Sequence, residues 1–169
     1  MDAIECINTR RSIRKYLDTE VSDDLITQIL EAAMTAPSAG NQQPWQFVVI
    51  KDRNLLNKIT EFHEYAQMCR TANLAILVCA DLSSIQHEGM WEQDCSAAAQ
   101  NILLTAHALG LGAVWCGVYP REPKMKGFRQ LLKIPEKIIP FSLIPIGYPA
   151  QKSGKVDRYK KERIHYDKW

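Results

Sequence analysis

Four stretches of this sequence carry side chains suited to holding an anion or the edge of a polar ring. The first is Arg10-Arg11-Ser12-Ile13-Arg14-Lys15. Guanidinium forks match the geometry of a phosphate and stay charged at every working pH. In an extended chain alternate residues share a face, so Arg10, Ser12 and Arg14 can converge on one phosphate. The ordinary alternative is a solvated basic turn closing a helix, favoured by the helix dipole. The second stretch is Pro37-Ser38-Ala39-Gly40-Asn41-Gln42-Gln43-Pro44-Trp45. Its amides both donate and accept, as the edge of a pyrimidine-like ring requires. A plain turn is the competing use.

The third stretch is Gly110-Leu111-Gly112-Ala113-Val114-Trp115-Cys116-Gly117. Its glycines end a helix and precede a strand, the reverse of a G-x-G-x-x-G dinucleotide turn, so a Rossmann site is rejected. Gly117 still lets backbone approach a ring closely and offer an N–H. The fourth is the charged tail, with Lys155, Arg158, Lys160, Lys161 and Arg163, of which one or two can close over a phosphate.

Other chemistries lack their residues. His63, His87, His107 and His165 show no metal-ligand spacing, and no G-x-S-x-G elbow or carboxylate pair is present. His107, on an apolar helix, is expected as a satisfied core histidine. Asp94 is expected as a buried acid making a structural hydrogen bond, with a place near a cofactor as the alternative. A chain rich in binding groups and poor in reactive ones suits a cofactor that performs the chemistry itself.

These stretches need elements to position them. Asp2 to Thr9 reads as a short helix with Asp2 as N-cap. Ser22 caps a second helix with the apolar stripe Leu25, Ile26, Ile29, Leu30 and Ala33, ended by Pro37. Gln46 to Lys51 reads as a strand, Leu55 to about Tyr65 as a helix, and Leu74 to Ala80 as a core strand. Glu92 to Leu109 is a helix stopped by Gly110. Ala113 to Val118 reads as one strand and Lys124 to Lys133 as helical. Ile138 to Ile146 is strand-like, and Pro140 and Pro145 point to an edge position or to bends. The alternation argues for an α/β or α+β arrangement with helices covering a central sheet. The tail's aromatics, Tyr159, Tyr166 and Trp169, imply that it packs against something such as a partner subunit.

The 169 residues suit one domain spanning 1–169. The net charge of +2, from 21 basic and 19 acidic residues, is too small to imply nucleic-acid or membrane binding by bulk electrostatics. The five cysteines include no C-x-x-C pair, so neither a disulfide framework nor a zinc site is expected. No signal peptide is visible at the N-terminus, and the expectation is a cytoplasmic protein.

Taken in order, several motifs resemble the nitroreductase family. They are Arg10-Arg11-Ser12-Ile13-Arg14-Lys15-Tyr16; Ala36 to Trp45; Gln93-Asp94 through Ala98 with Gln100-Asn101; His107-Ala-Leu-Gly-Leu-Gly112 with Trp115 and Gly117; and Ile146-Gly147-Tyr148-Pro149. The resemblance covers nearly the whole chain. It implies an α+β fold with a mostly antiparallel central sheet flanked by helices, in an intertwined homodimer that binds FMN at its interface. It further implies NADH or NADPH as electron donor and a ping-pong reduction of a small acceptor such as a nitroaromatic or quinone. By the same resemblance, Arg10, Ser12 and Arg14 hold the FMN phosphate and ribityl chain, with Arg11 near the pyrimidine side. Pro37, Ser38, Ala39 and Asn41 come from the partner subunit. Trp115, Cys116 and Gly117 lie along the flavin, with the Cys116 or Gly117 N–H facing N5, and Arg158 and Lys155 reach the phosphate from the tail. No insertion is long enough for a large lid. A dehalogenase-like or flavin-consuming enzyme, or a non-catalytic flavin-binding dimer, is the alternative on the same fold.

Overall fold

The computed structural model describes every residue of the chain except 155, and every side chain of those except that of Ser84. Helix α1 (Ala3–Thr9) starts where the Asp2 carboxylate accepts from the Glu5 N–H at 2.9 Å. Helix α2 (Asp23–Met34) starts at Ser22, whose hydroxyl accepts from Leu25 N–H. Helix α3 (Arg53–Phe62) is capped in the same way by Asp52. The long helix α4 (Trp91–Ala108) and α5 (Glu122–Leu132) complete the helical set. Each of the first three caps satisfies an amide that the helix itself leaves unpaired.

The strands are β1 (Trp45–Ile50), β2 (Leu74–Asp81), β3 (Gly112–Ala113), β4 (Cys116–Gly117) and β5 (Ile138–Gly147). They form one antiparallel five-stranded sheet in the order β1-β2-β5-β3, with β4 also paired to β5. Side chains of β2 alternate between two layers. Leu74, Ile76, Val78 and Ala80 meet α2 and α4, while Ala75, Leu77 and Cys79 meet α3 and α5. Period-two alternation buried on both sides explains why β2 reads as an unbroken apolar run. The fold is α+β, as expected.

Two expectations need correction. β5 is an inner strand, so of the edge position or bends that its prolines point to, the edge position is overturned. Pro140 sits at a register shift opposite Val78 and Cys79, where the ladder is already interrupted. Pro145 turns its nitrogen and carbonyl toward the β3/β4 side, the carbonyl accepting from the Tyr16 hydroxyl at 3.1 Å. The second correction follows from the first. The expected single strand 113–118 is two short strands, because the register continues from Ala113↔Ile146 to Cys116↔Leu143 but meets Pro145 in between. A proline has no N–H to donate, so the ladder lapses there and resumes beyond it.

Beyond β3, the chain entering from α1 adds at the sheet's margin. Ser12 bridges Ala113 in parallel, Ile13 N–H donates to Ala113 O at 3.0 Å, and Tyr16 bridges Pro149. Ile13 and Tyr16 are buried there, flanked by the polar residues 12 and 14. Gly112 makes this approach possible, since a β-carbon on it would lie 2.7 Å from Ile13 Cβ. Gly112→Ala is therefore expected to destabilise the fold by about 1–3 kcal/mol through overpacking. A thermal melt of the variant against wild type reads this directly, and an unchanged Tm contradicts the packing described.

Candidate functional site

The basic cluster begins at the C-terminus of α1, where Arg10 N–H closes the helix on Cys6 O. Arg10 is half-buried, and burial together with the neighbouring Arg158 and Arg11 guanidiniums pushes it below the usual arginine range. Three cations thus crowd one spot, two from the start of the chain and one from its tail. Arg11 holds the arrangement together, donating from Nε to Gly154 O at 3.2 Å and from one terminal nitrogen to Asn8 O at 2.8 Å. Gln151 does the same from the tail, its side-chain oxygen accepting from the Arg14 N–H at 3.0 Å. Lys155 lies outside the described residues.

Ser12 and Arg14 follow along the margin of the sheet. The Arg14 charge reaches as far as the Cys116 thiol, which it pulls down against the dominant effect of burial. The expectation for His107 as a core residue is corrected. It is half-buried, with Nε2 2.8 Å from the Thr9 hydroxyl, and burial plus Arg10 and Arg11 lower its pKa. His107 lies on the side of the last turn of α4 that faces the basic cluster, while Ala106 of the same turn is buried in the core.

Strand β4 presents the next part of the site. Cys116 turns its thiol inward, donating to Tyr65 O at 3.5 Å and lying 3.9 Å from Met68 Sδ, and burial raises its pKa to about 11. Its side chain is thus an inert packing group, and only its backbone faces the site. Trp115 goes to the opposite layer, edge-on to Phe141 with ring centres 5.8 Å apart. Gly117 is exposed, and nothing lies within 4 Å of where a β-carbon would stand. Its carbonyl lies 3.0 Å from Nε2 of the buried His63.

The amide loop 37–44 lies elsewhere. Asp94, 4% exposed on the first turn of α4, accepts from Ala39 N–H at 2.9 Å and from Gln42 Nε2 at 2.6 Å. Gln42 Oε1 in turn accepts from the Gln86 and His87 N–H groups, both at 3.0 Å. Gly40, Asn41 and Gln43 have positive φ, and Ser38 Oγ accepts from Gln43 N–H. Pro37 and Asn41 are exposed, while Ser38 and Ala39 are half-buried. Asp94 therefore has the expected structural role, fixing a strained loop. Its first-turn position and His107 near the other end of α4 are separated by about 20 Å of helix rise. A single chain does not bring loop and basic cluster together.

The contacts of Gln42, Gln151 and His63 escaped the sequence reading, which takes the Gln42 amide only as a donor and acceptor for a ring edge. Their partners are 44 to 137 residues away in sequence, and no local pattern marks such contacts. Among the described residues no group of three or more His, Cys, Asp or Glu side chains is placed to hold a metal.

An antiparallel α+β layer with a cluster of arginines at its margin and an exposed glycine backbone on β4 suits a protein that binds an anionic cofactor. Its own side chains supply contacts rather than a nucleophile. Comparison with known proteins makes the class specific. The model of the nitroreductase family matches residues 7–72 and 63–148. A protein of Methanothermobacter thermautotrophicus, provisionally named an NADH dehydrogenase/NAD(P)H nitroreductase, is 55% identical over the whole chain and 88% of its own length. The crystal structure of a provisionally named NADH oxidase from Clostridium acetobutylicum superposes with a TM-score of 0.94 at 46% identity, covering 97% and 99% of the two chains. A provisionally named nitroreductase from Desulfovibrio desulfuricans, solved in complex with FMN, gives 0.86 at 34% identity over 100% and 99%. The chain belongs to the nitroreductase family.

The loop anchor is open to a direct check. Asp94→Ala leaves the Ala39 amide without its buried acceptor, which is expected to lower stability by about 1–3 kcal/mol. Hydrogen exchange at the Ala39 amide should quicken in the same variant. Unaltered exchange there would show that the loop is held by something else.

Proposed function

We propose that this chain is an FMN-dependent oxidoreductase that draws electrons from NADH or NADPH and passes them to a small nitroaromatic, quinone or related acceptor. The observation that carries this is the crowding of Arg11 and Arg158 around the half-buried Arg10. Like charges are gathered there at an electrostatic cost that a bound phosphate offsets. When bound, FMN supplies the redox step, accepting electrons from the nicotinamide and returning them to the acceptor in alternation.

The chain's residues do the holding. Arg10, Ser12 and Arg14, joined by Arg158 from the tail, take the phosphate and ribityl chain, and Arg11 lies toward the pyrimidine side. The backbone at Cys116 and Gly117 lines the ring, with Trp115 behind it. Positive charge at this end favours the cofactor when it carries extra electron density.

The working unit in this reading is a homodimer. The loop that bears Pro37, Ser38, Ala39 and Asn41 is far from the basic cluster of its own chain, and a second copy brings the two together. Several surfaces await a partner: Ile4 and Ile7 on α1, the free edge of β1, and a tail exposing Tyr159, Ile164, Tyr166 and Trp169. Among the described residues no helix is long and apolar enough to cross a membrane. The five free, buried cysteines accord with a reducing cytoplasm.

The test is an anaerobic absorbance titration of the FMN-loaded protein with NADH and NADPH. Prompt bleaching of the flavin bands by either is expected. Bound flavin inert to both nicotinamides would turn the reading into a flavin-binding protein without this activity. A protein that takes up no FMN would end it. Arg10→Ala is expected to weaken FMN binding by about 1.5–3 kcal/mol, as for a lost hydrogen bond to a charged group. Fluorescence titration of the apoprotein measures this, and equal affinities would remove Arg10 from the phosphate site. Sedimentation at twice the chain mass is expected for the dimer.

A further inference from the structure

We propose that the cleft between the segment Glu64–Arg70 and the start of α5 binds a small aromatic carboxylate. Its use, as the anchor for an acidic electron acceptor, rests on the FMN reading above; the binding itself does not.

The cleft has a volume of about 460 Å³ and is lined by Phe62, Glu64, Tyr65, Arg121, Pro123 and Lys124. Three of these carry its charge. Lys124 is 9% exposed, and a lysine buried to this extent is normally fully paired. Its ammonium has one anionic partner, Glu64 at 3.3 Å, and lies 4.8 Å from the Tyr65 ring centre. An ammonium has three donors, so one carboxylate and one aromatic face leave it capacity for another acceptor. Arg121, at the start of α5, is exposed, and among the described residues nothing pairs with its guanidinium. Glu122 next to it does not line the cleft but lies with Lys126 and Arg129 in a separate depression. His63 is fully buried and adds no charge at neutral pH, because burial first and then the Lys124 ammonium lower its pKa.

Two cations against one carboxylate leave the cleft with one positive charge in excess. The rest of its wall is Phe62, Pro123 and the exposed ring of Tyr65. A cationic end beside aromatic and apolar walls fits an anion carried on a flat ring. The guanidinium fork takes a carboxylate through two parallel N–H groups, and an aryl ring stacks or packs edge-on against tyrosine. The cleft also adjoins β4. Tyr65 O accepts from the Cys116 thiol at 3.5 Å, and His63, between Phe62 and Glu64 in sequence, has its Nε2 3.0 Å from Gly117 O. The segment that walls the cleft thus touches the strand that the FMN reading sets along the ring, and an acceptor anchored by its carboxylate is held beside that strand.

Two measurements test this. The first is a nitrogen–proton NMR titration of the apoprotein with 4-nitrobenzoate and, as the uncharged control, nitrobenzene. Shifts at the Tyr65, Arg121 and Lys124 amides are expected with the acid and much smaller ones with nitrobenzene. Arg121→Gln is expected to weaken binding of the acid about tenfold, as for a lost hydrogen bond between charged groups. Glu64→Gln frees the Lys124 ammonium and is expected to tighten it several-fold. Both side chains are exposed, so both variants are expected to fold. Absence of shifts at these amides, or an Arg121 variant that binds as tightly as wild type, overturns the site without reference to any cofactor. A Glu64 variant that binds no more tightly overturns the part given to Lys124. The second measurement is steady-state reduction of the same two compounds by the FMN-loaded enzyme. Arg121→Gln is expected to raise KM for 4-nitrobenzoate about tenfold more than KM for nitrobenzene. Equal changes for the two overturn the acceptor role. A rise in KM for the nicotinamide instead assigns the cations to its diphosphate and also overturns that role. A wild type that takes up no FMN removes the acceptor role together with the FMN reading, while the apoprotein titration still decides the carboxylate site.

Discussion

The ladder along β5 is the constraint from which the site hangs. One edge of this strand pairs with β2 over nearly its whole length. The other edge is divided between β3, at residues 146 and 147, and β4, at 142 and 143. β3 in turn carries the stretch 12–14 through Ala113, and β4 carries Gly117. A backbone ladder sets these positions to a fraction of an ångström because each rung must satisfy a polar group. Pro145 leaves the one gap on that edge, and the Tyr16 hydroxyl fills the carbonyl side of it. A proline that weakens the sheet thus gives the chain following α1 a place to dock.

Electrostatics then acts on what the ladder has placed. Arg10, Arg11 and Arg158 come from opposite ends of the chain, and the guanidiniums of Arg158 and Arg11 both act on Arg10. Arg11 and Gln151 instead bind backbone of the opposing segment, which locks tail and cluster together. The His107 imidazole, at the margin of the same cluster, is held neutral by burial and the adjacent charges. In the proposed reading these charges are gathered before the anion arrives, which reduces the reorganisation that binding would require.

The two helical layers divide the remaining work. α2 and α4 pack one face, and Asp94 on α4 restrains the amide loop at that end. α3 and α5 pack the other, and the turn after α3 brings His63 beneath Gly117. Cys116 and Trp115 send their side chains to opposite layers, so the backbone between them is gripped from both sides while its outer edge stays open.

Much was legible in the sequence alone. The caps Asp2 and Ser22, the apolar run of β2, the stop at Gly110 and the arginine cluster are local signals, set by the chemistry of neighbouring residues. The ordered motifs extended this to the family and its cofactor. The placement of β5 inside the sheet was not legible, because whether a proline is tolerated depends on which edge its nitrogen faces and on what lies opposite. The same holds for the split of β3 from β4. The inward turn of the Cys116 thiol, the marginal position of His107 and the contact of His63 with Gly117 depend on segments far apart in the chain. Short-range pattern reports periodicity and capping; pairing between distant segments is decided only when the whole sheet closes and every buried polar group must find its partner.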